Sequence, residues 1–130
     1  MKLGYTIIYV PDVAASIAFF EQAFGVARRF VHESGTYGEL DTGETTLAFA
    51  ALELGHAHFP AGFVAASESP LPLGFEVAFV TPSVAEAHTR ALAAGATELL
   101  APEAKPWGQT VSYVRCPDGT LVELCTPVGA

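Results

Sequence analysis

The sequence predicts an α+β protein made of two βαβββ modules in tandem, and three observations carry that prediction. The apolar run Tyr5 to Val10 stops at Pro11-Asp12, and a helical pattern follows as far as Gly25. The same plan returns in the second half, where Phe75 to Val80 stops at Thr81-Pro82-Ser83 and a helical pattern runs from Val84 to Gly95. Short β-rich runs separated by turn residues follow each helix. One such unit is too small to bury both its helix and its sheet, and pairing two units solves that.

Each element has a local reason. Tyr5 to Val10 is rich in β-branched and aromatic residues, and Pro11 ends it by removing a ladder donor. Asp12 is placed to cap the helix that follows, accepting orphan N–H groups at the positive end of the dipole. Val13, Ile17, Phe20 and Phe24 fall on one face of that helix, and Gly25 supplies the left-handed closing position. Val26 to Glu33, Tyr37 to Asp41 and Thr45 to Leu52 read as strands, parted by Ser34-Gly35 and Thr42-Gly43. In the second half Gly74 to Val80 is a strand and Ser83 the cap. Val84, Ala87, Ala91 and Leu92 form the helix face, and Gly95 closes it. Thr97 to Leu100 is a short strand, Pro102 to Gly108 a loop and Gln109 to Arg115 an alternating strand. Pro117-Asp118-Gly119 is a tight turn into the last strand, Leu121 to Cys125.

The chain is thus one domain over residues 1–130, with module one at about 3–52, a linker at 53–73 and module two at about 74–127. The linker has three prolines, two glycines and two serines without a clean period, and its length points to function rather than mere connection. Helices on one side of the sheets leave the opposite faces free to curve into a cup that can hold a ligand.

Composition narrows the function classes. The net charge is −8 with only six Lys and Arg, which argues against nucleic acid and anionic membranes as partners. No apolar run approaches the roughly 20 residues that span a bilayer, and the N-terminus lacks a signal-peptide pattern, so a cytoplasmic protein is expected. Cys116 and Cys125 are expected as two buried free thiols, because Cys125 lies well past the point of the hairpin that faces Cys116.

Val10-Pro-Asp-Val-Ala-Ala-Ser-Ile-Ala-Phe-Phe-Glu21 resembles the first-helix signature of the vicinal oxygen chelate superfamily. That superfamily includes glyoxalase I, bleomycin-resistance proteins, fosfomycin-resistance enzymes and extradiol dioxygenases. Cys116-Pro-Asp-Gly-Thr-Leu-Val-Glu-Leu124 is similar to its terminal hairpin, D-P-D-G-N-x-x-E. Order, spacing and duplication match over nearly the whole chain. The resemblance implies the cup-shaped fold and leaves activity open, since the superfamily hosts lyases, transferases, isomerases, oxygenases and pure binders.

Metal-dependent members hold a divalent ion in the cup with side chains from the first and last strands of each module. By that resemblance the four positions here are Tyr5, Phe49, Glu76 and Glu123, with Phe49 matched through Thr46-Leu-Ala-Phe against Thr120-Leu-Val-Glu. Two carboxylates alone make a poor site for Zn²⁺, Fe²⁺ or Ni²⁺, although Mg²⁺ or Mn²⁺ tolerates a carboxylate pair with waters. No metal is therefore favoured; if one is present, Glu76 and Glu123 hold it. One of two such carboxyls serves acid–base chemistry if burial and mutual repulsion raise it.

The histidines do not complete a metal site. His56 and His58 are expected as a solvated loop pair on one face of an extended segment, His32 as a strand histidine and His88 on the helix surface. The residues contain no phosphate loop, Ser-His-Asp order or activated thiol.

Tyr5, Tyr9, Phe49, Phe59, Phe63, Trp107 and Tyr113 are candidates to line the concave face, with Trp107 in a rim loop free to stack on a planar or cationic ligand. The first reading is a metal-free protein, similar to the bleomycin-resistance branch, that binds a small aromatic or cationic compound through Tyr5, Phe49, Glu76, Trp107, Tyr113 and Glu123. The resemblance implies a homodimer. The second reading is a lyase, isomerase or dioxygenase of glyoxalase type with Mn, Fe, Ni, Zn or Mg on Glu76 and Glu123. Whether the chain is an enzyme stays open at this point.

Overall fold

The computed structural model describes residues 1–129. Module one runs β1 (Tyr5–Val10), α1 (Val13–Phe24), β2 (Ala27–Val31), β3 (Tyr37–Asp41) and β4 (Thr46–Ala51). A helix α2 (Leu52–His58) and a 3₁₀ turn (Ala66–Glu68) occupy the linker. Module two runs β5 (Val77–Val80), α3 (Val84–Ala94), β6 (Thr97–Ala104), β7 (Thr110–Arg115) and β8 (Leu121–Cys125). The two sheets have the orders β1-β4-β3-β2 and β5-β8-β7-β6, each with one parallel pair, β1 with β4 and β5 with β8. The βαβββ duplication is present as the sequence predicts.

Both long helices begin and end on the chemistry the sequence supplies. Asp12 Oδ1 accepts from the Ala15 N–H at 3.0 Å, and Ser83 Oγ accepts from the Glu86 N–H at 3.4 Å. Gly25 and Gly95 close them in the left-handed region. The helices α1 and α3 pack on each other on one side of both sheets and share a single core. Phe20 joins the modules, its ring 5.0 Å from Phe49 and 6.2 Å from Phe79, while Phe24 lies 5.1 Å from Phe79. Arg90 of α3 donates through Nε to the Gln22 carbonyl at 2.8 Å, satisfying an orphan acceptor at the end of α1.

Several local expectations need correction. The linker is not irregular throughout: Leu52–His58 forms α2, whose Gly55 lies so close to Phe63 that a side chain would not fit. His56 and His58 are therefore on a helix, where residues two apart do not share a face. Strand β6 continues through Pro102 to Ala104; it is an edge strand, where the missing proline donor costs no ladder bond. His32 lies just past β2, its Nδ1 2.7 Å from Ser34 Oγ in the turn.

His88 is buried rather than on the surface, 4% exposed. It shares the inner face of α3 with Val84 and Ala91, at i+4 and i+7 spacing. Its ring bridges Ser112 Oγ on β7 at 2.9 Å and Glu98 Oε2 on β6 at 2.7 Å. Cys116 and Cys125 are free and buried. Among the described residues, no helix is long and apolar enough to cross a membrane.

The linker is fastened to the β7–β8 turn. Arg115 donates to the carbonyls of Ala66 at 3.0 Å, Ser69 at 2.8 Å, Pro70 at 3.3 Å and Gly119 at 3.3 Å. Gly119 has a φ of 93°, and a Cβ there would press into the Ala66 carbonyl and lie 2.8 Å from the Ser67 nitrogen. Glycine is thus required both by the turn and by the close approach of the linker.

Candidate functional site

Strand alternation divides each sheet into a helix-facing and a concave side. On β1, Ile8 and Val10 are buried under α1, whereas Tyr5 and Ile7 on the other side are exposed. On β8, Val122 and Leu124 enter the core, which leaves Glu123 on the concave side between them. The register pairs Glu123 with Ala78 on β5 and with Tyr113 on β7. Glu76, two residues before Ala78, therefore projects on the same side.

Three of the residues picked out by sequence come together there. The Tyr113 hydroxyl donates to Glu123 Oε1 at 2.9 Å, and Glu76 shares a hydrogen bond with Glu123. Loss of hydration, that hydrogen bond and the neighbouring negative charge push Glu76 up to about 7. Burial and the Glu123 carboxylate push the Tyr113 phenol up to about 12, so it is a donor at neutral pH. Glu76 also lines a cavity of about 380 Å³ between the two modules, with Thr6, Thr42 and Thr45 on the module-one side and Val77 and Phe79 on the other.

The other picked residues are elsewhere. Phe49 does not line the concave face: it is fully buried against Phe20 on the helix side. The register explains the error. Ile7 pairs with Ala48 as Ala78 pairs with Glu123, and Ile7 and Ala78 stand the same distance before their caps, so Ala48 is the counterpart of Glu123. Thr45 rather than Thr46 is thus the counterpart of Thr120. Trp107 is exposed in the β6–β7 turn, its indole N–H held by Gln109 Oε1 at 2.8 Å, and pairs with no other ring among the described residues. Tyr5 is exposed on the concave side of module one.

Module one carries a polar network that sequence reading missed. A bulge between Arg28 and Phe30 turns Arg29 to the concave side. There its Nη1 donates to Glu39 Oε1 and Thr46 Oγ1, both at 3.0 Å, and Tyr37 donates to Glu39 Oε2 at 2.7 Å. Glu39 is buried, and burial together with this carboxylate raises the Tyr37 phenol. Alternation in Tyr37-Gly-Glu-Leu-Asp41 was the available signal, since it sets Glu39 opposite the buried Leu40. The arginine needed the bulge. Further along β1, Tyr9 meets Phe63 at 5.3 Å and Phe59 at 6.0 Å, so the linker builds an aromatic wall onto module one.

The residues do not fit an ion that takes three or four strong protein donors, such as Zn²⁺, Fe²⁺ or Ni²⁺. The four family positions hold Tyr5, Ala48, Glu76 and Glu123, and the two carboxyls are already joined to each other. Among the described residues no three His, Cys, Asp or Glu side chains gather as a metal requires. What the pair can do is accept a cation or exchange a proton near neutral pH.

The raised Glu76 has a consequence for stability. Its ordinary value is 4.5 and its folded value about 7, so folding takes up a proton. The stability it contributes is complete below about pH 4.5 and is lost as pH rises through about 7. Glu76→Gln keeps a donor to Glu123 but cannot ionise. Thermal unfolding should show no gap from wild type at pH 3.5 and a more stable variant at pH 8, by on the order of 1 kcal/mol after solvent screening. An equal gap at both values would contradict this assignment.

A family model described as the Glyoxalase/Bleomycin resistance protein/Dioxygenase superfamily matches residues 2–124. A glyoxalase/bleomycin resistance protein/dioxygenase family enzyme from Burkholderia phytofirmans PsJN is similar in structure, with a TM-score of 0.84 and 25% identity over 97% of this chain and 98% of that one. A glyoxalase-related enzyme from Fulvimarina pelagi has a TM-score of 0.80 and 24% identity, covering 100% and 94%. TioX from Micromonospora sp. ML1 has a TM-score of 0.71 and 20% identity, covering 97% and 98%. Among curated proteins, none matches the sequence.

Proposed function

Since the chain belongs to the Glyoxalase/Bleomycin resistance protein/Dioxygenase superfamily, we propose that it uses the concave face to bind a small organic cation with an aromatic body, without a metal between protein and ligand. The observation that carries this reading is the Glu76–Glu123 pair on the concave face, which has a phenol and, among the described residues, no ion-pair partner; Glu76 alone of the pair also lines the cavity between the modules. Two carboxyls in contact disfavour each other's ionisation, and a bound cation removes that penalty. The arginines are engaged elsewhere: Arg28 with Glu21, Arg29 with Glu39 and Asp41, and Arg90 and Arg115 with backbone carbonyls. The net charge of −8 favours approach of a cation.

The aromatic part of the ligand has Tyr5 and the Tyr9–Phe59–Phe63 wall as partners. The protein is further proposed to be a homodimer, because Tyr5, Ile7 and Phe75 leave apolar surface exposed that a second copy would cover. Light scattering on the eluting protein tests that directly.

Benzamidinium and the neutral benzamide are matched probes of the binding reading. Calorimetric titration at pH 8 should detect benzamidinium and little or no benzamide. Glu123→Gln should weaken benzamidinium by at least about tenfold, the scale of one charge-assisted hydrogen bond. Equal binding of the two probes, or an unaffected variant, would overturn the reading.

A further inference from the structure

Resting on that reading, we infer that Arg115 is a positioning residue which keeps the acidic pair open to ligand: the docked linker holds its guanidinium on backbone carbonyls, and undocking releases it to pair with Glu123.

The geometry on β7 and β8 supports this exchange. Tyr113 is paired with Glu123 and Arg115 with Leu121, so Arg115 and Glu123 are diagonal neighbours on one face of the sheet. Diagonal positions lie roughly 7–8 Å apart at the backbone, within reach of an arginine side chain. An exposed carboxyl pair beside an arginine would ordinarily capture it, since a guanidinium prefers carboxylate to carbonyl oxygen. Here Arg115 instead donates to four carbonyls, three of them from the linker, Ala66, Ser69 and Pro70. Among the described residues it has no carboxylate partner within ion-pair distance.

Two further features make linker docking the controlling event. Gly119 is the only residue that lets the Ala66–Ser67 backbone lie against the turn, and its own carbonyl is the fourth Arg115 acceptor. The same linker carries Phe63 and Phe59 to Tyr9 on module one. Docking therefore assembles the aromatic wall and withdraws the competing cation together. With the linker undocked, Arg115 loses three of its four acceptors, and the Glu123 carboxyl is its diagonal neighbour on the same face of the sheet.

The test is a double-mutant comparison with benzamidinium at pH 8. Gly119→Ala undocks the linker and should weaken binding by at least about tenfold, because the freed guanidinium neutralises Glu123. Arg115→Gln alone removes the competitor together with its linker contacts, and should bind benzamidinium at least about threefold more tightly than Gly119→Ala. The double variant Gly119→Ala/Arg115→Gln should recover the part of that loss caused by the freed guanidinium, at least about threefold, while the part caused by the lost aromatic wall remains. A purely structural arginine predicts the reverse: Arg115→Gln as weak as Gly119→Ala, with no rescue in the double variant. That result would overturn the inference. If Gly119→Ala does not fold, Arg115→Lys against Arg115→Gln decides: both lose the forked anchorage and only Lys keeps the competing charge, so Arg115→Lys should bind benzamidinium at least about threefold more weakly, and equal binding contradicts the competition. A wild-type chain that does not bind benzamidinium defeats the cation-binding reading itself, whereas wild-type binding without rescue defeats only the role of Arg115.

Discussion

Phe49→Ala is expected to destabilise the fold by about 3–5 kcal/mol while leaving the acidic pair chemically unchanged. The ring is fully buried, and it is one of the largest such side chains in the core. It packs at 5.0 Å on Phe20, which in turn contacts Phe79 across the module boundary. Truncation opens a cavity at the junction of the two halves, where α1, β4 and β5 meet. Neither sheet can close over it without moving the helix both share, so relaxation recovers little of the loss. Denaturant unfolding measures the effect. A loss below about 1 kcal/mol, with weaker benzamidinium binding instead, would return Phe49 to the concave face and contradict the register.

His88→Ala is expected to cost about 3 kcal/mol, from one cavity and one orphaned hydroxyl. Ser112 is completely buried and His88 nearly so, and among the described residues the imidazole is the one hydrogen-bond partner of Ser112 Oγ. Glu98 is half exposed and can turn to water, so the penalty falls on Ser112. The double variant His88→Ala/Ser112→Ala should recover part of the loss, because both ends of the buried bond are then removed. A single variant as stable as wild type, or a double variant showing simple additivity, would show that the bridge contributes nothing.

Such residues mark where the sequence was readable. Asp12, Ser83, Gly25 and Gly95 announced both helices because capping is local chemistry. The family resemblance, counted back from those caps and along the hairpin after Gly119, led to Glu76 and Glu123. Phe49 was misassigned because Thr46-Leu-Ala-Phe-Ala-Ala51 is buried on both faces, so polarity could not tell inside from outside. His88 was misassigned because its polarity outweighed its helical phase; its buried partners come from two strands far along the chain. Helix α2 is seven residues long and has no side-chain cap to announce it. The Arg29–Glu39–Tyr37 network depends on a bulge, and the Arg115 anchorage on carbonyls of a linker without periodic pattern, so both are properties of the folded chain alone.

The central claim is that Glu76 and Glu123 serve an organic cation rather than a metal. Elemental mass spectrometry tests it most directly, on protein incubated in turn with Mg, Mn, Fe, Ni and Zn and then freed of unbound ions. The account predicts metal far below one equivalent per chain in every case, unchanged in Glu76→Ala and Glu123→Ala. One equivalent of any of these metals, retained by wild type and lost from both variants, would contradict it.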